Sequence, residues 1–542
     1  VNFIEFESEQ KLRGGYYTPQ ELSDFLAKWI ADEGCYKILE PSCGDGNFLE
    51  SIKKNISLTN GQIISVTALE IDVIEAEKAK SRCPSANNFE CNIKNDEALQ
   101  WLIDNEKEGF DAVVGNPPFV RYQYLPKDIQ EKSEQIFKLH GLKFTKHTNL
   151  WVPFVIASVT LLKPNGLFGM VLPAEILHVK HAHPLRKFLR DTCKKILIID
   201  PEEIWFENTL QGAVIVMAQK KSRIQDVFEG LKILPVKGKD FLDTKPSAHF
   251  EANGFDTHIN ADSKWTHALL TREEFDLIDR LMEHKDVLCF EELASVDVGI
   301  VTGANNFFLV SDGVITANRL QSWAYPMFGR SDHVSGVVYD EAQYQLNRQK
   351  NLPTNFLWFN VQHEDELDTA AKKYVKSGED EGLNLRYKCR IRKPWFKVPS
   401  IYATKIGMLK RAHDIPKLIL NEISAFTTDT AYRIRPKSIE EETLVYLFIN
   451  SLTALSAELE GRHYGGGVLE LVPSEIEKVL IPVPKNITIN LVKLNELVKN
   501  EKAEKILKLQ DEVILQAIGL TPDECQTIFN AWNRLRNRRQ RN

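Results

Sequence analysis

Several features are scarce or missing in this chain of 542 residues. No apolar run approaches the roughly 18 residues of a membrane span, and no basic-then-apolar leader opens the sequence, so neither a membrane anchor nor a secretory signal is expected. Its eight cysteines lie far apart, without zinc-like or dithiol spacing. No metal site or disulfide framework is expected, and a reducing cytoplasm is the expected setting. Glycine (28) and proline (23) recur without a period, and abundant Ile, Leu, Val and Phe exclude collagen and a wholly disordered chain. There is no internal repeat and no low-complexity tract. The net charge of -7 suggests no polyanion partner by itself.

What is present describes a globular protein, with 43% hydrophobic and 26% charged residues. The length exceeds what one hydrophobic core supports, so two or three domains are expected. Charge is segregated along the chain. Residues 386 to 437 hold 13 Lys or Arg against three acids, a local excess of ten. An acidic stretch, residues 364 to 381, comes just before it.

The first third alternates strand and helix signals. Thr18-Pro19-Gln20-Glu21 reads as a helix start, with Thr18 as cap and Pro19 at the first helical position. Leu22, Phe25, Leu26, Trp29 and Ile30 then form an apolar stripe at helical spacing. Strands are expected at 37–39, 63–69, 112–114, 167–171, 196–199 and 213–217, with a helix around 151–162. Several of these strands are continuously apolar, as in a parallel sheet covered on both faces. The fold class expected is α/β, a doubly wound Rossmann-like domain over residues 1–240. An irregular α+β domain over 241–485 and a helical segment over 486–542 follow. The arginines near the end, Arg534, Arg536, Arg538, Arg539 and Arg541, read either as a solvated terminus or as a phosphate clamp.

Two motifs carry chemistry. In Glu40-Pro41-Ser42-Cys43-Gly44-Asp45-Gly46, a strand runs into a glycine turn and then a helix, which lets backbone approach a ligand at a helix start. A plain strand-ending turn would look the same, and the third glycine of the dinucleotide fingerprint is replaced by Leu49. Glu70, closing the next hydrophobic strand, stands where a ribose diol would be held, with Asp72 two residues on and a plain solvated strand end as the alternatives. The second motif is Asn116-Pro117-Pro118-Phe119 at the end of a buried strand. Proline supplies a carbonyl without a donor. Asn116 adds a side-chain acceptor, and Phe119 a flat apolar face. Two converging acceptors suit an uncharged NH2 group on a ring; a turn-forming role fits the same residues.

Together these residues resemble the gamma-class adenine-N6 DNA methyltransferases, the TaqI- and Eco57I-like family. The resemblance runs over roughly residues 14 to 484. Gly14-Gly15-Tyr16-Tyr17-Thr18-Pro19 is similar to the family's opening cofactor motif, and the glycine turn to its Asp-Pro-Ala-Cys-Gly-Ser-Gly, with Glu40 and Asp45 as departures. Asn116-Pro117-Pro118-Phe119 is similar to its catalytic tetrad. Asn149-Leu150-Trp151, Trp205-Phe206, Gly299-Ile300-Val301-Thr302-Gly303 and Arg462-His463-Tyr464-Gly465-Gly466-Gly467 resemble later motifs in the family's order.

The resemblance implies S-adenosylmethionine as cofactor, bound by Tyr16, Tyr17, Thr18, Pro19, Glu40, Pro41, Cys43, Gly44, Gly46, Glu70 and Ile71. Asn92 falls where the family places an acid against the cofactor adenine, with Asp96 as the alternative. Asn116 and Pro117 would accept the adenine amino hydrogens, and Phe119 and Phe206 would stack on the flipped base. Double-stranded DNA is the implied partner, and a cognate endonuclease would be encoded separately; the basic run, with Arg386, Lys388, Arg390, Arg392, Lys393 and Lys397, reads either as a phosphate track or as a solvated basic face. The 13 residues ahead of Gly14 leave no room for a nuclease domain, so uncut product and a monomeric enzyme are expected. Alternatives are a methyltransferase for RNA or a protein glutamine through the same tetrad, and a non-catalytic DNA-binding module. Cofactor titration separates the last of these.

Overall fold

The computed structural model describes residues 17–55, 63–85, 88–202, 212–257, 264–464 and 466–540. They divide into two compact units, the first ending at Leu269 and the second running from Leu270 to Gln540.

The first unit is built on an eight-stranded sheet of order β3-β2-β1-β4-β5-β7-β6-β8. Its strands are β1 (Lys37–Glu40), β2 (Ile64–Glu70), β3 (Phe89–Asn95), β4 (Phe110–Gly115), β5 (Leu162–Pro173), β6 (Cys193–Pro201), β7 (Ala213–Lys220) and β8 (Gly230–Val236). Neighbouring strands are parallel except at β7, which runs antiparallel to both β5 and β6. The helices flanking the sheet up to β6 are α1 (Gln20–Asp32), α2 (Asn47–Asn55), α3 (Val73–Arg82), α4 (Ala98–Asp104), α5 (Lys127–Leu139), α6 (Trp151–Thr160) and α7 (His183–Thr192), and a short helix, Pro246–Glu251, follows β8.

Side-chain alternation along the strands separates two cores. Leu39, Val113, Phe168 and Met170 face one apolar cluster with α4 to α7. Ile38, Ala112, Val114 and Val171 face the other, with α1 and α2. Both faces of the central strands are therefore dry, which is why they read as continuous apolar runs. This is the doubly wound α/β fold expected from the sequence.

Three local readings change. Helix α1 starts at Gln20 with Pro19 as its N-cap and no side-chain cap; Thr18 is buried instead. The apolar stripe of α1 is buried throughout, and Glu21 pairs with Lys239. Strands β3 and β8, absent from the expected set, are the two edges of the sheet. One-sided pairing leaves β3 half exposed and polar, and lets Pro235 sit in β8, so neither carries a long apolar run. Finally, the first unit extends beyond residue 240. Phe241 packs edge-on against Phe25, and Phe250 packs against Trp29, tying the segment after β8 onto α1.

The second unit contains a five-stranded sheet, in order Ala294–Val298, Ala431–Pro436, Ile406–Leu409, Leu418–Asn421 and Val338–Tyr339, together with smaller sheets and a helical end. Its last helix, Pro522–Gln540, decides the role of three terminal arginines. Arg534 pairs with Glu274 and Arg536 with Glu504 at 2.6 Å. Arg539 and Glu458 form a fully buried pair at 2.7 Å. These guanidiniums are internal ties, not a solvated terminus and not a phosphate clamp.

A buried histidine gives this unit a pH signature. The His333 ring is fully buried, and burial pushes its pKa down to about 4. The folded pKa lies below the unfolded one, so stability is intact above about pH 6.5 and is lost as pH falls toward 4. Urea unfolding at pH 7 and pH 5 should show a smaller loss for His333→Gln than for wild type, by up to about 1.4 kcal/mol per pH unit. Equal losses would show that the ring does not govern this titration.

Candidate active site

The carboxyl edge of the first sheet gathers most of the expected residues. After β1, the chain turns through Gly44 and Gly46, both at positive φ (51° and 95°), before entering α2. At Gly46 the requirement is also steric, since a Cβ there would lie 3.1 Å from the Ala79 Cα in α3. The turn is tethered to the next strand. Gly44 N–H donates to Glu70 Oε2, and Asp72 N–H to Glu70 Oε1, each at 2.9 Å. Cys43 N–H donates to the Leu69 carbonyl at 2.9 Å.

Burial raises the Glu70 carboxyl above its ordinary pKa, against the lowering effect of these two backbone donors. Burial also pushes the Cys43 thiol far up, so it is no thiolate nucleophile near neutral pH. Pro41 is buried beside it.

The segment before α1 closes over this turn. The Tyr17 ring lies against Gly44, its nearest carbon 3.7 Å from where a Cβ would be, and its hydroxyl donates to Glu75 Oε2 at 2.8 Å. Asn47 Nδ2 donates to the Thr18 carbonyl at 3.1 Å. Ile71 is exposed directly after Glu70. Tyr16 lies outside the described residues.

At the cofactor-adenine position, the structure separates the two candidates. Asn92 sits inside β3 opposite Thr67, short of the strand's carboxyl end. The edge itself carries Asn95 and Asp96. Asn95 Nδ2 donates to the Glu70 and Ile71 carbonyls, and Asp96 N–H donates to the Glu70 carbonyl at 3.1 Å. Of the two candidates, Asp96 lies at the carboxyl edge and Asn92 within the strand.

The tetrad is on the same edge. Asn116 follows the last residue of β4, and its carbonyl accepts from the Ser42 hydroxyl at 3.0 Å. This bond links the glycine turn to the tetrad. Pro117 is buried, and Phe119 packs partly buried against the core. The chain after the tetrad is fixed as well. Leu150 N–H donates to the Val120 carbonyl at 2.9 Å, and Asn149 Nδ2 donates to Glu175 Oε2 at 3.1 Å. Trp151 then opens the wholly buried start of α6. Ser42, Asn149 and Glu175 were given no role in the sequence reading; a hydroxyl inside a glycine turn is a signal that only a partner 74 residues away explains. Phe206 and Trp205 lie outside the described residues.

The expected DNA-binding residues divide in two. Arg386, Lys388, Arg390 and Lys393 are exposed. Arg392 instead donates to the Thr302 carbonyl at 2.6 Å and the Val301 carbonyl at 2.8 Å, so its guanidinium is spent on the chain's own backbone. Lys397 donates to Gln362 Oε1. Among the described residues, no group of three or more His, Cys, Asp or Glu could hold a metal ion, and no helix is long and apolar enough to cross a membrane.

A model of the Eco57I restriction-modification methylase matches residues 46–205, and one of the type II methyltransferase M.Eco57I C-terminal domain matches residues 262–515. The chain belongs to this family. The type II methyltransferase M.AccI of Acinetobacter calcoaceticus is 24% identical over 483 residues, covering 85% of this chain and 84% of its own. M.BstVI of Geobacillus stearothermophilus is 22% identical over 574 residues, covering 96% and 98%. Among solved structures, a nuclease-deletion mutant of the type ISP restriction-modification enzyme LlaGI with a DNA substrate mimic gives a TM-score of 0.48 at 13% identity, covering 89% of this chain and 54% of that one.

As a member of the family, the chain is a site-specific adenine-N6 DNA methyltransferase that uses S-adenosylmethionine. The RNA and glutamine alternatives gain no support. The residues at the sheet edge fit the cofactor. Glu40 Oε2 is buried and has no hydrogen-bond partner among the described residues. A carboxyl oxygen without a partner, ionised when a cation binds beside it, suits a ligand bearing a sulfonium and an ammonium group.

Proposed function

We propose that the carboxyl edge of the first sheet is the methyl-transfer site, with the glycine turn and Glu70 on the cofactor and Asn116 and Pro117 on the target amino group. The Ser42–Asn116 hydrogen bond carries this reading, because it fixes the two loops to each other. Glu70 would hold the ribose diol, Asp96 the cofactor adenine, and Glu40 the cationic end. Tyr17, Thr18, Pro19, Pro41, Cys43, Gly46 and Ile71 would shape the surrounding walls. S-adenosylmethionine supplies the activated methyl group.

Adenine N6 is a poor nucleophile because its lone pair is delocalised into the ring. Accepting its two hydrogens at Asn116 Oδ1 and the Pro117 carbonyl favours the more tetrahedral nitrogen of the transition state. The target is unreachable inside a duplex, so the nucleotide is flipped out and received by Phe119. Phe206 is the proposed second wall. Arg386, Lys388, Arg390 and Lys393 would follow the phosphate backbone. A separately encoded endonuclease, a monomeric state and a cytoplasmic location complete the proposal. Nucleoside digestion of DNA methylated by the purified chain should yield N6-methyladenine; a methylated cytosine would overturn the assignment.

Glu40 gives a test that does not need activity. Burial, reinforced by Cys83, Glu70 and Asp45, raises its carboxyl well above the ordinary range and favours the protonated form in the ligand-free protein. A cationic ligand beside it lowers that pKa, so binding should release protons and tighten as pH rises. Calorimetry in buffers of different ionisation enthalpy should give different heats for wild type, with the difference lost in Glu40→Gln. Buffer-independent heats for wild type would remove Glu40 from the site.

A further inference from the structure

The second unit exposes an apolar ridge where a soluble surface would be expected to be polar. Leu385 (73% exposed), Tyr387 (63%) and Ile391 (62%) project from one short segment around the helical turn Tyr387–Arg390. Single exposed apolar residues are ordinary; three large ones within seven residues are not. Their base is rigid. Cys389 is fully buried, and Leu383, Trp395 and Phe396 belong to the local core. Arg392 is tied to the Val301 and Thr302 carbonyls, and a Cβ at Gly303 would lie 2.7 Å from Lys388 Cβ, so the neighbouring loop packs directly beneath the ridge.

Cations surround it. Arg386, Lys388, Arg390 and Lys393 are exposed, Lys388 Nζ lies 5.7 Å and Arg390 Cζ 5.6 Å from the Tyr387 ring centroid, and no acid occurs between residues 382 and 413. A collar of cations rules against a cationic or membrane-core partner and suits a polyanion. An apolar tip inside such a collar suits a polyanion with an apolar interior reachable between its charges, which is the stacked base column of a duplex.

We propose that Tyr387 and Ile391, supported by Leu385, form a wedge that enters the duplex between adjacent base pairs while the surrounding Arg and Lys hold the flanking phosphates. The inference rests on the reading of this segment as a DNA-binding face and adds an insertion that phosphate tracking does not require. The wedge unstacks a base step and kinks the duplex locally, so bound DNA is untwisted.

Closed circular DNA relaxed by a topoisomerase in the presence of the full chain measures that untwisting as a change in linking number. Wild type should lower the linking number in proportion to bound protein. Tyr387→Ala/Ile391→Ala alters only exposed side chains, and a wild-type urea unfolding transition of the full chain verifies its fold. It should bind duplex between about fivefold and 150-fold more weakly, the range for one to a few kcal/mol of lost stacking. Its salt slope should be unchanged, and its untwisting at saturating protein should fall to the part that base flipping alone supplies. A linking number and affinity equal to wild type would overturn the wedge. So would a weaker affinity with a shallower salt slope and retained untwisting, which marks the ridge as phosphate contacts only. Concentration-dependent dimerisation lost in the variant would identify it as a contact between two copies. The underlying reading fails separately: Arg386→Ala/Lys388→Ala/Arg390→Ala should lower both affinity and salt slope, and an unchanged slope would remove this face from DNA altogether.

Discussion

Replacing Asn116 by alanine should lower the single-turnover methylation rate by about 10²–10³-fold, the usual cost of removing one preorganised transition-state hydrogen-bond partner. The substitution spares the link between the two loops. The bond between the tetrad and the glycine turn uses the Asn116 carbonyl and not its side chain, so Ser42 keeps its acceptor in the variant. Cofactor affinity and duplex affinity should therefore stay close to wild type while the rate falls. Rapid-quench measurement with enzyme in excess over DNA separates this outcome from slow product release. A variant that transfers methyl at the wild-type rate would show that Asn116 only shapes the turn.

Removing the Glu70 carboxylate should be nearly as damaging, at a different step. In Glu70→Ala the Gly44 and Asp72 amides both lose an acceptor, and the proposed ribose contact goes with them. A hydrogen bond to a charged partner contributes about 1.5–3 kcal/mol, so affinity for S-adenosylmethionine should fall about 10- to 150-fold. Loosening of the turn acts in the same direction. Glu70→Gln retains one acceptor oxygen and should fall between the two. Calorimetry on folded protein decides the matter, and wild-type affinity in Glu70→Ala would rule out a cofactor role.

How much of this was legible in the sequence depended on whether a residue's neighbours were local. Strands with both faces buried advertise themselves as apolar runs, and β4 to β7, apart from the edges of their spans, could be read directly. The edge strands β3 and β8 could not, because one-sided pairing relaxes the composition. The glycine turn and tetrad were visible as motifs, since tight turns and fixed prolines restrict residue choice locally. Their linkage through Ser42 was not, and neither was the diversion of Arg392 to the 301–302 backbone. Arginine-rich composition around residue 390 and at the chain's last helix looked alike in sequence. One cluster remains largely exposed while the other neutralises Glu274, Glu504 and Glu458 inside the unit. Only long-range partners distinguish them.

The Ser42–Asn116 bond also has a thermodynamic meaning. It ties the two loops together, so in the proposed site a ligand that settles the glycine turn changes the free energy of settling the tetrad. By reciprocity, whatever factor the cofactor contributes to capture of the extrahelical adenine, the adenine returns to the cofactor. The two binding constants multiply to the same product in either order. Ser42→Ala should shrink that factor toward one, and the enzyme would then hold its two substrates as strangers.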